Sequence, residues 1–309
     1  MANIFVRYFG LFKETIKEFA NDNVVKLSAS LAYNTIFAIG PFLLVIISLT
    51  GLFFEQKAVT GRMFYQIQTL IGKQGAEQIL SIIQNMQQQN AAARFGIIGI
   101  VVLVIGATSM FADIQDSINY IWSIKAKPKK GWLKYLKNRL LSFSLIVGLG
   151  FLFIVTLLIN TISDALTDRL QHLFADEAVI FFKVFNVALL FVIISLLFGV
   201  IYKVLPDARI RWKDAMKGAW FTGVLFLIGK FLIGFYLGNS RIGNTYGAAA
   251  SIIIILSWVY YTSIILYFGA EFTKVYALKM GAGIEPYDTA VFILKREAKE
   301  MPEVKKVTG

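Results

Sequence analysis

The stretch "FGIIGIVVLVIGATSMFADIQDSINYIW", Phe95 to Trp122, begins as a lipid-soluble helix and ends with Asp113 and Asp116 three residues apart. An α-helix rising about 1.5 Å per residue needs about 20 apolar residues to cross the roughly 30 Å hydrocarbon core of a bilayer. A carboxylate inside that core costs on the order of 3 kcal/mol by insertion scales. The two aspartates therefore require water, a partner, or a place near one end of the span. Ser109, Asp113, Asp116 and Tyr120 recur at spacings of four, three and four, so they form one polar stripe on the helix.

The rest of the chain extends this reading. Of 309 residues, 57% are hydrophobic, 15% aromatic and 16% charged, which is too apolar for a soluble core of this size to hide. Six runs reach spanning length, approximately Leu27 to Phe54, Phe95 to Trp122, Leu140 to Asn160, Val179 to Leu205, Ala215 to Gly238 and Tyr246 to Tyr276. Each is expected to be helical, because a segment in lipid must satisfy its backbone hydrogen bonds internally. The fold class is thus an all-α integral membrane protein with six transmembrane helices.

Charge orients the bundle. Segments 1–26, 123–139, 203–217 and 274–309 hold 23 Lys and Arg, the alternate segments 55–94, 160–183 and 239–245 hold seven, and Lys230 lies within the fifth run. This asymmetry predicts cytoplasmic N and C termini. Trp122, Trp132, Trp212 and Trp220 fall at or near the cytoplasmic boundary, where indole rings favour the interface. The formal charge of +12 is read as attraction to anionic lipid headgroups rather than to nucleic acid. "MANIFVRYFG" lacks the apolar core and cleavage site of a secretory signal, so the first membrane helix is expected to serve as the signal.

Two regions are amphipathic. In 1–26, Phe5, Phe9, Phe12, Ile16 and Phe19 share a helical face while Arg7, Lys13, Glu14, Lys17 and Glu18 lie elsewhere, predicting a helix in the inner interface. Segment 55–94, Gln-rich and broken at Gly72 to Gly75, predicts an outer amphipathic helical hairpin. The six-helix domain occupies 27–278, and 279–309 is expected to be a mobile, polar cytoplasmic tail.

Cysteine is absent and His172 is the only histidine, in the outer turn "SDALTDRLQHLFADE". Thiol chemistry is excluded and Cys/His metal centres nearly so. Any metal would need oxygen ligands, and no metal or cofactor is expected. No nucleotide-binding motif occurs.

Three helices present polar faces at a similar inner depth: Ser30, Tyr33 and Asn34 on the first, Ser109, Asp113 and Asp116 on the second, and Tyr260, Ser263, Tyr267 and Glu271 on the sixth. They predict either a cytoplasm-facing cavity for a cationic, hydroxylated or zwitterionic solute, or an interhelical hydrogen-bond cluster. Gly40 and Pro41 would kink the first helix beside this face, either for packing alone or as its hinge. Lys230 either snorkels to the outer headgroups or faces the bundle and an anionic group. Gly234 and Gly238 form a close-packing pair on its face.

"LSASLAYNTIFAIGPFLLVI", "SINYIW", "FGVIYKVLPDARIRWKDAMKGAWFTGVLFLIGKFLIGFYLG" and "YGAAASIIIILSWVYYTSIILYFGAEFTKVYA" together resemble the YihY/BrkB family of bacterial inner-membrane proteins, in order from about residue 20 to 278. The resemblance rests most on Ala32-Tyr33 with Pro41, Asn119 and Trp122, Tyr202 with Pro206, Tyr246-Gly247, Trp258 and Gly269-Ala270-Glu271, and it adds Asn119 to the candidate cavity. One departure is Ile39-Gly40-Pro41, where many members carry a serine or other residue before an aromatic and the proline. The resemblance implies six helices with cytoplasmic termini, and export, envelope or lipid-related roles, or serum resistance. The family's older label, ribonuclease BN, implies a nuclease. Such hydrolysis needs clustered carboxylates or histidines, often around two ions about 4 Å apart; Asp113, Asp116 and Glu271 could in principle bind one hard cation such as Mg²⁺, but the sequence offers no convincing cluster. The reading is a multi-pass inner-membrane transporter or exporter of a lipid-linked or amphipathic solute, not an enzyme, with membrane lipids as partners and self-association open. The alternative is a non-transporting scaffold for envelope assembly.

Overall fold

The computed structural model describes residues 2–36, 96–127, 177–239 and 250–295, with Phe64, Ala76, Glu77, Leu80 and Ser81 between them. The elements are α1 (Ala2–Asn21), α2 (24–36), α3 (Gly96–Ile121), β1 (Ile124–Ala126), α4 (Glu177–Val204), β2 (Ala208–Arg209), α5 (Trp212–Asn239), α6 (Ala250–Lys279), β3 (Glu285–Pro286) and β4 (Ala290–Phe292). Four of the expected spans correspond to α3, α4, α5 and α6. The run Leu140 to Asn160, the outer part of the first span with Gly40 and Pro41, Trp132, His172 and nearly all of the hairpin lie outside the described residues.

Helices α4, α5 and α6 carry windows long and apolar enough to cross a membrane: Val187–Val204, Trp212–Ile233 and Ile253–Lys279. They pack side by side through small residues. A Cβ added at Gly269 of α6 would lie 1.9 Å from Thr222 Oγ1 and 2.4 Å from the Tyr202 hydroxyl, and one at Gly218 of α5 would lie 1.8 Å from Thr273 Oγ1. Gly223 likewise admits the Ser195 hydroxyl. Without a hydrophobic drive between helices in lipid, such backbone approach is what lets dispersion and interhelical hydrogen bonds hold the bundle. The buried Tyr202 hydroxyl donates to the Leu266 carbonyl at 2.7 Å and meets Thr222 Oγ1 at 3.0 Å, joining α4, α5 and α6 in one contact.

All the tight turns described gather at one end of this bundle. Asn23, with φ 51°, turns the chain from α1 into α2, and Ser123, with φ 58°, turns it out of α3. Asn tolerates that left-handed region better than most residues. Gly283, at φ 84°, releases the chain from α6. Beyond it the backbone does not trail away. β3 pairs antiparallel with β2 (Ala208 opposite Pro286, Arg209 opposite Glu285), and β4 pairs with β1 (Ile124 opposite Phe292, Ala126 opposite Ala290).

The expected mobile tail is therefore corrected for 280–295, which stitches the α3 exit to the α4–α5 turn. Strands of two or three residues carry almost no periodic signal, and both partners come from distant sequence. Trp122, at the exit of α3, packs inside the bundle rather than facing outward. Its indole is 2% exposed and donates to the Ala270 carbonyl at 3.0 Å, whereas Trp212 and Trp220 are exposed. Helix α1 does not lie apart from the bundle. Phe12 and Phe19 set their rings edge-on to Phe268 of α6, at centroid distances of 6.0 and 5.4 Å.

Candidate functional site

The polar residues expected to share one cavity divide into two groups, with Asn119 and Lys230 in neither. On the first, Asn34 of α2 donates to Asp113 Oδ2 of α3 at 3.1 Å. Around this half-buried pair Ser30, Ser109 and Asp116 are exposed, and the Tyr33 side chain is 62% exposed. Tyr267 of α6 approaches from the buried side, near Ser117, Asp113 and Asp116. Ser263, also buried, spends its hydroxyl on the Val259 carbonyl at 2.7 Å, and Tyr260 is half-buried. The arrangement is a polar face with an open side on α2 and α3, backed by α6.

Two expected members stand elsewhere. Asn119 is buried and clasps the α4–α5 turn. Its Nδ2 donates to Asp207 Oδ2 at 3.0 Å, and its Oδ1 accepts from the Asp207 backbone N–H at 2.8 Å. Lys230 is half-buried along α5, on the helical face that also carries Phe226, whose ring meets Phe198 and Trp258. Neither touches the α2–α3 face in any contact described.

Glu271 belongs to a second, buried group. Its side chain is 0% exposed, its Oε2 lies 2.8 Å from Lys274 Nζ one turn along α6, and neither oxygen receives a well-directed hydrogen bond. The same ammonium donates to Glu18 Oε2 at 2.9 Å, Asp22 Oδ2 at 3.3 Å and the Ile121 carbonyl at 2.9 Å. Lys295 follows from the stitched segment, 2.5 Å from Asp22 Oδ2 and 4.4 Å above the Tyr120 ring. Ile121 ends α3, so its carbonyl has no helical partner and sits at the negative end of the helix dipole. Both cations answer it. At the edge, Lys279 pairs with Glu14.

Burial alone would push the Asp22 carboxyl up. The close Glu271 carboxyl and the Lys295 and Lys274 ammoniums outweigh it and hold Asp22 below its ordinary value. Burial draws Lys295 below the usual lysine value despite Asp22 beside it. Because the Asp22 value is lowered on folding, its contribution is complete above the unfolded pKa, near 3.8, and is lost as pH falls through the folded one. Asp22→Asn is accordingly expected to melt below the parent at neutral pH, with the gap closing as pH drops under about 3.8, read as melting temperature against pH in detergent.

Carboxylate oxygens of Glu18, Asp22 and Glu271 all lie within 4.8 Å of one another, a spacing a hard cation could use. In this protein the centre of that triangle is taken by the Lys274 ammonium, so the chain supplies its own cation. In the sequence Glu18 lies off the aromatic face of an interfacial helix, and Asp22, Lys274 and Lys295 carry no site signal of their own. Glu18 with Asp22 at i, i+4 and Glu271 with Lys274 at i, i+3 were visible signals. What joined them was the crossing of α1 over α6, which no local spacing encodes.

Three helices long and apolar enough to cross a membrane, packed against one another through glycines, define a helical membrane protein. A family model described as Virulence factor BrkB matches residues 15–290, and the chain belongs to that YihY/BrkB family. A UPF0761 membrane protein of Pseudomonas paraeruginosa is 30% identical over 269 residues, covering 82% of this chain and 59% of its own length. Another, from Pseudoalteromonas atlantica, is 27% identical over 279 residues, covering 89% and 86%. The chain thus spans about 59% of the length of the Pseudomonas relatives it matches. No solved structure matches it.

Proposed function

We propose that the chain is a non-enzymatic, multi-pass protein of the bacterial cytoplasmic membrane that exports or transports a lipid-linked or amphipathic solute through a polar cavity opening at its cytoplasmic end. The observation that carries this reading is the accessible polar face of Ser30, Tyr33, Ser109 and Asp116 around the Asn34–Asp113 pair. Exposed polar side chains on helices otherwise built of apolar residues are costly unless water or solute reaches them. Six spans rest on the six apolar runs, and cytoplasmic termini on the charge asymmetry. The convergence of 124–126, 208–209 and 285–292 at one end of the bundle supports grouping those basic segments on one side. A metal-dependent nuclease is disfavoured because a tethered ammonium sits among the clustered carboxylates.

The Asn34–Asp113 hydrogen bond also fits the second reading, a scaffold whose polar contacts only hold helices together. Single cysteines in this cysteine-free chain separate the two. At 30, 33, 109 and 116 they are expected to react with a membrane-impermeant thiol reagent applied from the cytoplasmic side alone, while buried positions 263 and 267 stay protected. Labelling of none of the first four in folded protein would overturn the cavity and leave the scaffold.

A further inference from the structure

A groove of about 320 Å³ runs between α1, α5 and α6, lined by Tyr8, Phe12, Lys217, Phe221, Phe272 and Tyr276. It lies within the lower range of small-ligand sites, about 300–1,000 Å³. Its floor is aromatic: Phe221 stacks on Phe272 with ring centroids 4.1 Å apart, and Phe272 stacks in turn against Tyr276. Its one charged lining residue is Lys217. That ammonium rests 5.3 Å from the centroid of the Trp220 ring, and among the described residues it has no ion-pair partner. The nearby Asp214 does not supply one, because its carboxylate is buried and accepts the Ala282 N–H at 3.0 Å.

Depth points to the occupant. Lys217 lies five residues into α5, about 8 Å from the helix start at 1.5 Å per residue, with exposed Trp212 and Trp220 on either side of it. Tryptophan and lysine at the end of a membrane-crossing helix mark the headgroup level. Helix α1 beside the groove also exposes an apolar face, with Phe9 at 73%, and exposed Arg7 stands next to Tyr8. An aromatic trough that opens onto lipid, with unpaired positive charge at headgroup depth, is complementary to a molecule having an acyl chain and an anionic head.

We propose that this groove is a specific site for one anionic phospholipid, its phosphate at Lys217 and one acyl chain along Phe12, Phe221 and Phe272. The site stands apart from the α2–α3 polar face and does not depend on transport.

The full chain, purified in non-ionic detergent, would be mixed with dioleoylphosphatidylglycerol or dioleoylphosphatidylcholine and examined by native mass spectrometry. One phosphatidylglycerol should be retained several-fold more than phosphatidylcholine. Lys217→Gln should abolish that preference, whereas Lys125→Gln, which removes one exposed charge on β1, should leave it. Tyr8→Ala, at the exposed edge of the groove, should lower retention of both lipids. Equal retention of the two lipids, or an equal loss in Lys125→Gln, would mean diffuse surface attraction and overturn the site. So would a dimer whose abundance falls in Lys217→Gln, since a second copy of the chain would then cover the groove.

Discussion

Lys274→Met is expected to destabilise the folded protein by about 3–5 kcal/mol, the range found when one partner of a buried ion pair is removed. The change leaves Glu18, Asp22 and Glu271 around an apolar side chain, with Lys295 the one other cation in contact with the group among the described residues. Among the described residues it also leaves the Ile121 carbonyl with the longer Lys295 bond, at 3.3 Å. The loss should appear as a lowered melting temperature and earlier unfolding in denaturant, measured in one detergent. Adding Glu271→Gln to Lys274→Met should restore part of that stability, because it removes the carboxylate whose oxygens lack well-directed hydrogen bonds. A Lys274→Met protein as stable as the parent would show that water reaches the carboxylates and that the group contributes little.

Gly269→Ala is the second large effect. The new methyl group would stand 1.9 Å from Thr222 Oγ1 and 2.4 Å from the Tyr202 hydroxyl, so α6 must move away from α4 and α5. Overpacking of this kind costs about 1–3 kcal/mol, and about 1–3 more follows if the Tyr202 hydroxyl loses its partners. Thr222→Ala in the same chain removes the atom that is struck first, while the Tyr202 bond to the Leu266 carbonyl can persist. The double variant should therefore lose less stability than the two single losses added together. Simple additivity in that cycle would mean that the two positions do not press on each other.

The helices were largely legible because their cause is local. Lipid forces a long apolar run to satisfy its own backbone, so the ends of α3, α4, α5 and α6 fall within about four residues of the apolar runs that foretold them. Asn34 of α2 and Asp113 of α3 are joined by a hydrogen bond. Glu271 did not join that face. On α6 it follows Tyr267 by four residues, yet Tyr267 turns towards Ser117 of α3 while Glu271 meets Asp22 and Lys274. A stripe on one helix can be shared between two neighbours, and the helix carrying it contains no information about where each neighbour begins.

The ribbons and the charge group were illegible for a related reason. β2 and β3 are two residues each, too short for alternation to register, and their pairing brings position 208 to 286. Lys274 and Glu18 are 256 residues apart. By itself the sequence determined a membrane-embedded helical chain and the approximate limits of four of its helices, since each follows from the cost of polar groups in hydrocarbon, paid residue by residue. Only the tertiary structure decided that α1 crosses α6, that 280–295 binds back onto the bundle, and that Glu18, Asp22 and Glu271 surround one lysine. Those outcomes depend on which distant surfaces fit and which buried charges meet, and such contacts are properties of the packed whole.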